Sequence, residues 1–289
     1  KRFDIPLVTA AMETQRAVVA LTIGPVLLIA TYLGGWFYFI PLLALLVVAG
    51  SEYARIMHAL NHNVPRWLLL PTIGLLLAAQ WWGEPPLVGL VFFTALFVAL
   101  VYCLWLFERG VTYDAALDWF ALATGIVLLG LVAGHFFLLR RLPVNGWQWT
   151  VLALMSIWFA DMGAYGVGKF IAGRFILGRH PLAPRLSPKK TVEGYVGGIV
   201  IGTTAALITA NVLGLPLLLA GLAGLLVGVL CLFGDLSISL SKREAGMKDS
   251  GMLFPGHGGA LDRLDSLIWA VTIVFYLVQF LGPYFPAAG

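Results

Sequence analysis

The feature that most constrains this chain is a series of long, continuously apolar runs separated by short polar segments. Each long run approaches the roughly 20 residues that a helix needs to cross about 30 Å of hydrocarbon. The runs do not alternate apolar and polar residues, which excludes the strands of a membrane barrel. We expect spans near 17–33, 35–50, 67–82, 86–107, 118–139, 148–168, 194–213, 215–233 and 267–285. The sequence therefore predicts an all-α polytopic membrane protein with about nine transmembrane helices.

The composition agrees with this prediction. Hydrophobic residues make up 60% of the chain and charged residues only 11%, whereas a soluble domain carries roughly 25% charged residues. Gly34 and Gly35 separate the first two runs. These runs could form a broken hairpin or one long tilted helix.

The distribution of Lys and Arg predicts the orientation. If the N-terminus is cytoplasmic, sixteen of the eighteen basic residues fall in inner segments, and only Arg140 and Arg141 fall outside. Basic residues concentrate on the cytoplasmic side of membrane proteins. We therefore expect an integral protein of a bacterial inner membrane. Its net charge of +4 suits anionic lipids or phosphates and needs no nucleic acid. The inner segments are 1–16, 51–66, 108–117, 169–193 and 234–266.

The polar chemistry is concentrated in the second half of the chain. Residues 1–147 form apolar spans joined by ordinary loops, whereas two long basic inner segments follow residue 150. We divide the chain into N-terminal transmembrane helices, residues 1–147, and a C-terminal catalytic transmembrane region with two cytoplasmic loops, residues 148–289.

The stretch 241–265 holds nine charged residues or histidines. Asp262 and Asp265 are three residues apart, so they would share one face of a helix. With Asp235 and Asp249 they make a set of carboxylates, the ligands that hard cations such as Mg²⁺ prefer, while softer metal ligands are scarce. The sequence thus predicts a magnesium site at the cytoplasmic side. A loop charged only for solubility is the alternative.

A further acid, Asp161, lies inside an apolar run. An acid within a membrane span is a functional candidate because its desolvation is costly. The simpler interpretation is an acid near the interface that pairs with a basic neighbour.

The stretch 178–194 combines basic and hydroxyl side chains with prolines. Pro181, Pro184 and Pro188 prevent a regular helix, so we expect an inner loop or a re-entrant segment. This composition suits several phosphate oxygens, although a loop that only sets topology would also be basic. Its polar side chains include Arg179, Arg185, Ser187, Lys189, Lys190 and Thr191.

Carboxylates beside several basic residues at a membrane face are typical of phosphoryl or nucleotidyl transfer. Such reactions depend mainly on positioning and charge neutralisation. The membrane location indicates that one reactant is a lipid and that the other comes from the cytosol.

The run "SLSKREAGMKDSGMLFPGHGGALDRLD", residues 239–265, resembles the signature of the phosphatidate cytidylyltransferase family, also called CDP-diacylglycerol synthases. Upstream, "ADMGAY", "LAPRLSPKKTVEG" and "GD" resemble the same family in the same order. The resemblance implies a homodimer of about nine helices that transfers CMP from CTP to phosphatidic acid. The products would be CDP-diacylglycerol and pyrophosphate. It also implies Mg²⁺ as cofactor, with a monovalent cation such as K⁺ sharing the site.

The resemblance also assigns roles to individual residues. It implies metal ligands at Asp235 and Asp262, and next at Asp249, Asp265 and Asp161. It implies phosphate contacts from Lys190, Lys242, Arg243, Lys248 and Arg263, and hydroxyl contacts from Ser187 and Ser239. Lys189, Gly258 and Gly259 would contribute to nucleotide binding, and His257 would be a positioning donor or a proton acceptor.

Two other functions remain open from the residues alone. A CTP-dependent lipid kinase acting on a polyprenol or on phytol would use similar charges but would require a general base. A secondary transporter could place Asp161 in an ion path. That fold is typically built from inverted repeats with acids near mid-membrane, whereas the charges here lie near one face.

Overall fold

The computed structural model of the chain describes residues 24–173, 178–253 and 258–285. The predicted inner segment 1–16 and the site residue His257 lie outside these residues. The helices are α1 (Gly24–Leu33), α2 (Gly35–Ala59), α3 (Arg66–Trp82), α4 (Pro85–Glu108), α5 (Ala115–Gly125), a π-helix (Ile126–Val132), α6 (His135–Arg140), α7 (Gly146–Phe170), α8 (Val192–Leu213), α9 (Leu217–Glu244), α10 (Leu261–Leu264), α11 (Leu267–Leu281) and a final 3₁₀ turn (Gly282–Tyr284).

The described helices follow the predicted apolar runs. Seven helical stretches are long and apolar enough to cross a membrane; in two of them, Ala115–Arg140 and Leu261–Tyr284, several helical elements follow one another. Two further helices are apolar but shorter than these seven stretches. They are α3 and the described part of α1. The prediction of an all-α polytopic membrane protein is thus confirmed, with seven helical stretches of membrane-spanning length among the described residues.

Two helices extend beyond the ends that hydropathy predicted. The predicted spans stop at residues 50 and 233, but α2 continues to Ala59 and α9 to Glu244. Polar side chains end the apolar run there, while no proline or glycine interrupts the backbone between 51 and 59 or between 235 and 245. The predicted inner segments 51–66 and 234–266 therefore begin as helix, and the two spans end later than predicted.

The segment 178–194 contains a short hairpin between α7 and α8. Its strands are β1 (Pro181–Ala183) and β2 (Ser187–Thr191), which pair antiparallel with Pro181 opposite Thr191. The Thr191 hydroxyl accepts a hydrogen bond of 3.0 Å from the Gly194 amide and so caps the start of α8. The prolines prevent a helix as expected, but the segment is an ordered hairpin that leads directly into α8.

The two basic residues on the predicted outer side have a structural role. Gly34 breaks α1 from α2 with a φ of 65°, a conformation that favours glycine. Arg140 donates to the carbonyl oxygens of Thr31, at 2.6 Å, and Tyr32, at 3.1 Å. Arg141 donates to the carbonyl of Trp81 near the end of α3. Because the last carbonyls of a helix lack intrahelical partners, these guanidinium groups stabilise two helix ends.

The helices α7 and α8 pack closely through small residues. Gly202 lies against Ala160 and the backbone of Ser156, whose hydroxyl donates to the Gly202 carbonyl at 3.3 Å. Gly198 makes the same kind of contact one turn earlier, against Ala160 and Ala164. Small residues allow backbones to approach within membranes, where packing drives helix association. This contact fixes Asp161 of α7 relative to the hairpin that precedes α8.

We predict that Gly202→Ala lowers stability. The added methyl would lie 2.8 Å from the Ala160 Cβ and 2.9 Å from the Ser156 carbonyl oxygen, and such overpacking costs about 1–3 kcal/mol. Gly166→Ala on α7 is the matched control, because open space surrounds that position and alanine favours a helix. The thermal unfolding midpoint in detergent should fall only for Gly202→Ala. Equal midpoints in the two variants would contradict this account of the packing.

Candidate active site

One face of α9 carries the first part of the site. Asp235, Ser239 and Lys242 follow one another at helical spacing, so they share a face. The Ser239 hydroxyl donates to Asp235 Oδ1 at 3.2 Å, and Lys190 of β2 donates to Asp235 Oδ2. This ion pair, with both side chains 29% exposed, ties the hairpin to α9.

A buried ion pair forms the second part. Lys242 Nζ lies 2.5 Å from Asp262 Oδ1, and these side chains are only 9% and 8% exposed. The other oxygen, Asp262 Oδ2, accepts from the backbone amides of Ser250, at 2.8 Å, and Gly259, at 2.9 Å. Asp262 thus holds α9, α10 and both sides of the segment between them in one arrangement.

Glycine is required beside this carboxylate. Gly258 has a φ of +83°, and a Cβ there would lie 2.5 Å from Asp262 Oδ2. Side chains other than glycine rarely adopt that conformation. The Gly258–Gly259 pair of the signature therefore lets the backbone approach Asp262.

Two more acids lie close to these pairs. Asp265 is buried where α10 meets α11, and its Oδ1 accepts from the Ser266 amide at 2.7 Å and hydroxyl at 3.2 Å. Its charge interacts with Asp235, Asp161 and Lys242. The charge of Asp161 interacts with Lys190, Asp235 and Arg263. Asp161 therefore lies near the same group of charges, which contains both acids and basic residues.

A cavity of about 380 Å³ opens beside this group. Its polar end includes Asp161, Asp262, Arg263, Asp265 and Ser266. Apolar side chains of α1, α2 and α7 form much of the remaining wall, among them Leu27, Leu42, Leu45, Leu154 and Trp158. The arrangement suits a ligand with a charged head and an apolar body.

A second, more open groove of about 400 Å³ lies at the segment that follows α9. Arg55 of α2 lines it together with Lys248 and Asp249, two of the predicted site residues. Met247, Gly251 and Met252 complete its described lining. The charged side chains of Arg55, Lys248 and Asp249 therefore line a groove that is open to solvent.

The remaining predicted residues lie around these features. Arg243 is exposed and donates to the backbone carbonyls of Leu186, at 3.2 Å, and Met247, at 3.3 Å. It joins the hairpin turn to the segment after α9. Ser187 is half-buried and Lys189 is exposed, both on β2. Gly259 is buried.

The predicted magnesium ligands lie apart from one another as the side chains stand. Within the described residues, no three Asp, Glu, His or Cys side chains are gathered closely enough to hold a metal ion as they stand. The donors near the lysines are carboxylate oxygens, which suit Mg²⁺. In the structure, Asp235 forms an ion pair with Lys190, and Asp262 forms one with Lys242.

The sequence analysis missed two residues of α2 that contact the site. Glu52 accepts hydrogen bonds from the Ser250 hydroxyl, at 2.9 Å, and the Leu261 amide, at 2.8 Å. Arg55 donates to the Ser250 carbonyl. Both fell in the predicted inner segment 51–66, because hydropathy ended the span at residue 50. The uninterrupted helix-forming run after residue 50 was the signal that could have placed them on α2.

Comparison with known proteins agrees with the signature. The sequence pattern of the Cytidylyltransferase family matches residues 14–281. A phosphatidate cytidylyltransferase of Synechocystis sp. is 34% identical over 94% of this chain and 98% of its own length. A phosphatidate cytidylyltransferase of Pseudomonas aeruginosa is 33% identical over 94% of this chain and 98% of its own length. One of Bacillus subtilis is 39% identical over 53% of this chain and 55% of its own length. The resemblance predicted from residues 239–265 is confirmed, and the chain belongs to the cytidylyltransferase family.

Proposed function

We propose that this protein is a phosphatidate cytidylyltransferase. A phosphate oxygen of phosphatidate attacks the α-phosphorus of CTP, and the bond from that phosphorus to the β-phosphate oxygen breaks. CDP-diacylglycerol and pyrophosphate are the products. The observation that carries the proposal is a cluster of basic and acidic side chains at the polar end of an apolar cavity in a membrane protein.

The cavity suits the lipid substrate. Its apolar wall can accept acyl chains, while Arg263 and Ser266 lie at the end where a phosphate head would be placed. Because the attacking oxygen of phosphatidate is already anionic, no general base is required. This is the chemical difference from a lipid kinase, which would have to deprotonate an alcohol.

The basic side chains suit the triphosphate of CTP. Lys190, Lys242 and Lys248 come from β2, the end of α9 and the segment after it. Their charges can offset those of the phosphates and favour the transfer by positioning and electrostatic stabilisation. Arg243 connects two of these elements through its backbone contacts. Ser187, Ser239 and Lys189 border the same region.

We infer that Asp235 and Asp262 hold Mg²⁺, with Asp265, Asp161 and Asp249 next in order. Three of these carboxylates, Asp161, Asp235 and Asp265, lie near enough for their negative charges to repel one another, and a bound cation would relieve that repulsion. Bound Mg²⁺ supplies charge neutralisation to the phosphates. K⁺ as a second cation, like the homodimer, is a prediction from the family resemblance.

We also propose that the site faces the cytoplasm of a bacterial cell, from the inner membrane, with the N-terminus inside. This orientation rests on the basic residues of the predicted inner segments and on the cytosolic origin of CTP.

The proposed transfer can be distinguished from a kinase reaction by the position of the label. Purified protein with phosphatidate, Mg²⁺ and CTP should move a cytidine label into lipid and release pyrophosphate. Label in the γ-phosphate should leave with pyrophosphate and never enter lipid. Transfer of γ-phosphate to a lipid alcohol, with no cytidine in lipid, would contradict the proposal.

We predict that Asp262→Asn abolishes transfer. The amide removes the charge that pairs with Lys242 and that we assign to Mg²⁺, so turnover should fall by at least about a hundredfold, or roughly 2.7 kcal/mol of transition-state stabilisation. Asp114→Asn is the matched control, because Asp114 is exposed in the loop between α4 and α5. Initial rates should be measured across a Mg²⁺ titration. Full activity of Asp262→Asn with an unchanged Mg²⁺ dependence would refute the metal assignment.

A further inference from the structure

We propose that Glu52 and Arg55 of α2 are positioning residues for the nucleotide side of the active site. They contact the segment that follows α9, at Ser250, and the start of α10, at Leu261. This inference rests on the proposed function and adds residues from the N-terminal helices to it.

Glu52 is a buried acid that accepts hydrogen bonds from residues on both sides of 254–257. Its side chain lies on the buried face of α2, and the residue is only 6% exposed. One oxygen, Oε2, accepts from the Ser250 hydroxyl at 2.9 Å and from the Leu261 amide at 2.8 Å. A buried carboxylate is tolerated only when it is well hydrogen-bonded. One partner, Ser250, lies in the segment after α9, and the other, Leu261, begins α10.

The segment is shaped to receive this carboxylate. A Cβ added at Gly251 or at Gly259 would overlap the Glu52 carboxylate oxygens. These two glycines lie on either side of the residues outside the described structure, 254–257. Glu52 therefore lies against described residues on both sides of 254–257, and glycine at each of these two positions allows the close approach.

Ser250 is held at every polar atom. Its amide donates to Asp262, its hydroxyl donates to Glu52, and its carbonyl accepts from Arg55. The residue is completely buried. Two carboxylates from different helices, Glu52 of α2 and Asp262 of α10, thus fix the same residue, while Arg55 secures it from the groove side.

This arrangement affects one substrate more than the other. Lys248 and Asp249 immediately precede Ser250 and line the groove with Arg55. The described α2 residues of the apolar cavity, Tyr38 to Leu45, lie about two turns or more from Glu52 along the helix. Loss of Glu52 should therefore displace groups that bind CTP more than it displaces the apolar wall of the lipid cavity on α2.

The test compares Glu52→Ala with Glu52→Gln. Alanine removes both hydrogen bonds, so kcat/KM for CTP should fall by at least about tenfold, while KM for phosphatidate changes by a clearly smaller factor. Glutamine keeps one carbonyl oxygen that can accept from Ser250 and Leu261, so its kcat/KM should remain within about threefold of the parent. Glu108→Ala, at the exposed end of α4, is the matched control.

A second measurement does not depend on the reaction. In Glu52→Ala, hydrogen exchange should accelerate in peptides covering 245–261 and remain unchanged in α8. Ser250→Ala removes one of the two bonds and should give a smaller effect in the same direction if Glu52→Ala cannot be purified. Absence of cytidylyl transfer in the parent would refute the proposed function, whereas the exchange result still tests the contact. Unchanged exchange, or equal losses for CTP and phosphatidate, would overturn the positioning role.

Discussion

The buried ion pair between Lys242 and Asp262 is the interaction on which the site depends. Two charges at 2.5 Å, each less than a tenth exposed, carry a desolvation penalty that their attraction offsets only with good geometry and further hydrogen bonds. Asp262 has these bonds from Ser250 and Gly259. Removal of one partner of such a pair typically costs about 3–5 kcal/mol, because a buried charge is left unpaired. The pair therefore holds α9, α10 and the intervening segment together.

The surrounding fold follows from the need to bring a polar substrate and a lipid to the same atoms. The ion pairs gather charge at one end of the apolar cavity, while the groove at Lys248 opens toward solvent. Close packing of α7 against α8 keeps Asp161 near Lys190. The protein thus combines an apolar cavity wall with a cluster that suits polyanions, as cytidylyl transfer to phosphatidate requires.

The sequence predicted the apolar helices well, because a continuously apolar run of membrane length can satisfy its backbone hydrogen bonds in lipid only as a helix. It also placed Asp235, Lys242 and Asp262 in one functional region, since the signature preserves their order and spacing. It did not predict that α9 continues through Asp235 and Lys242, because hydropathy measures polarity and not backbone propensity. Glu52 was missed for the same reason, and its contacts with Ser250 and Leu261 span about two hundred residues. The hairpin and the cavity depend on packing between distant elements, which periodicity alone does not encode.

The most direct test of this account is a double-mutant cycle on the buried pair. The free energy of unfolding in detergent would be measured for the parent, Lys242→Met, Asp262→Asn and the double variant. The account predicts that each single change is strongly destabilising and that the two are coupled by about 1–3 kcal/mol, as expected for contacting charges. A coupling energy near zero would mean that Lys242 and Asp262 do not hold the site together, and would contradict the central claim.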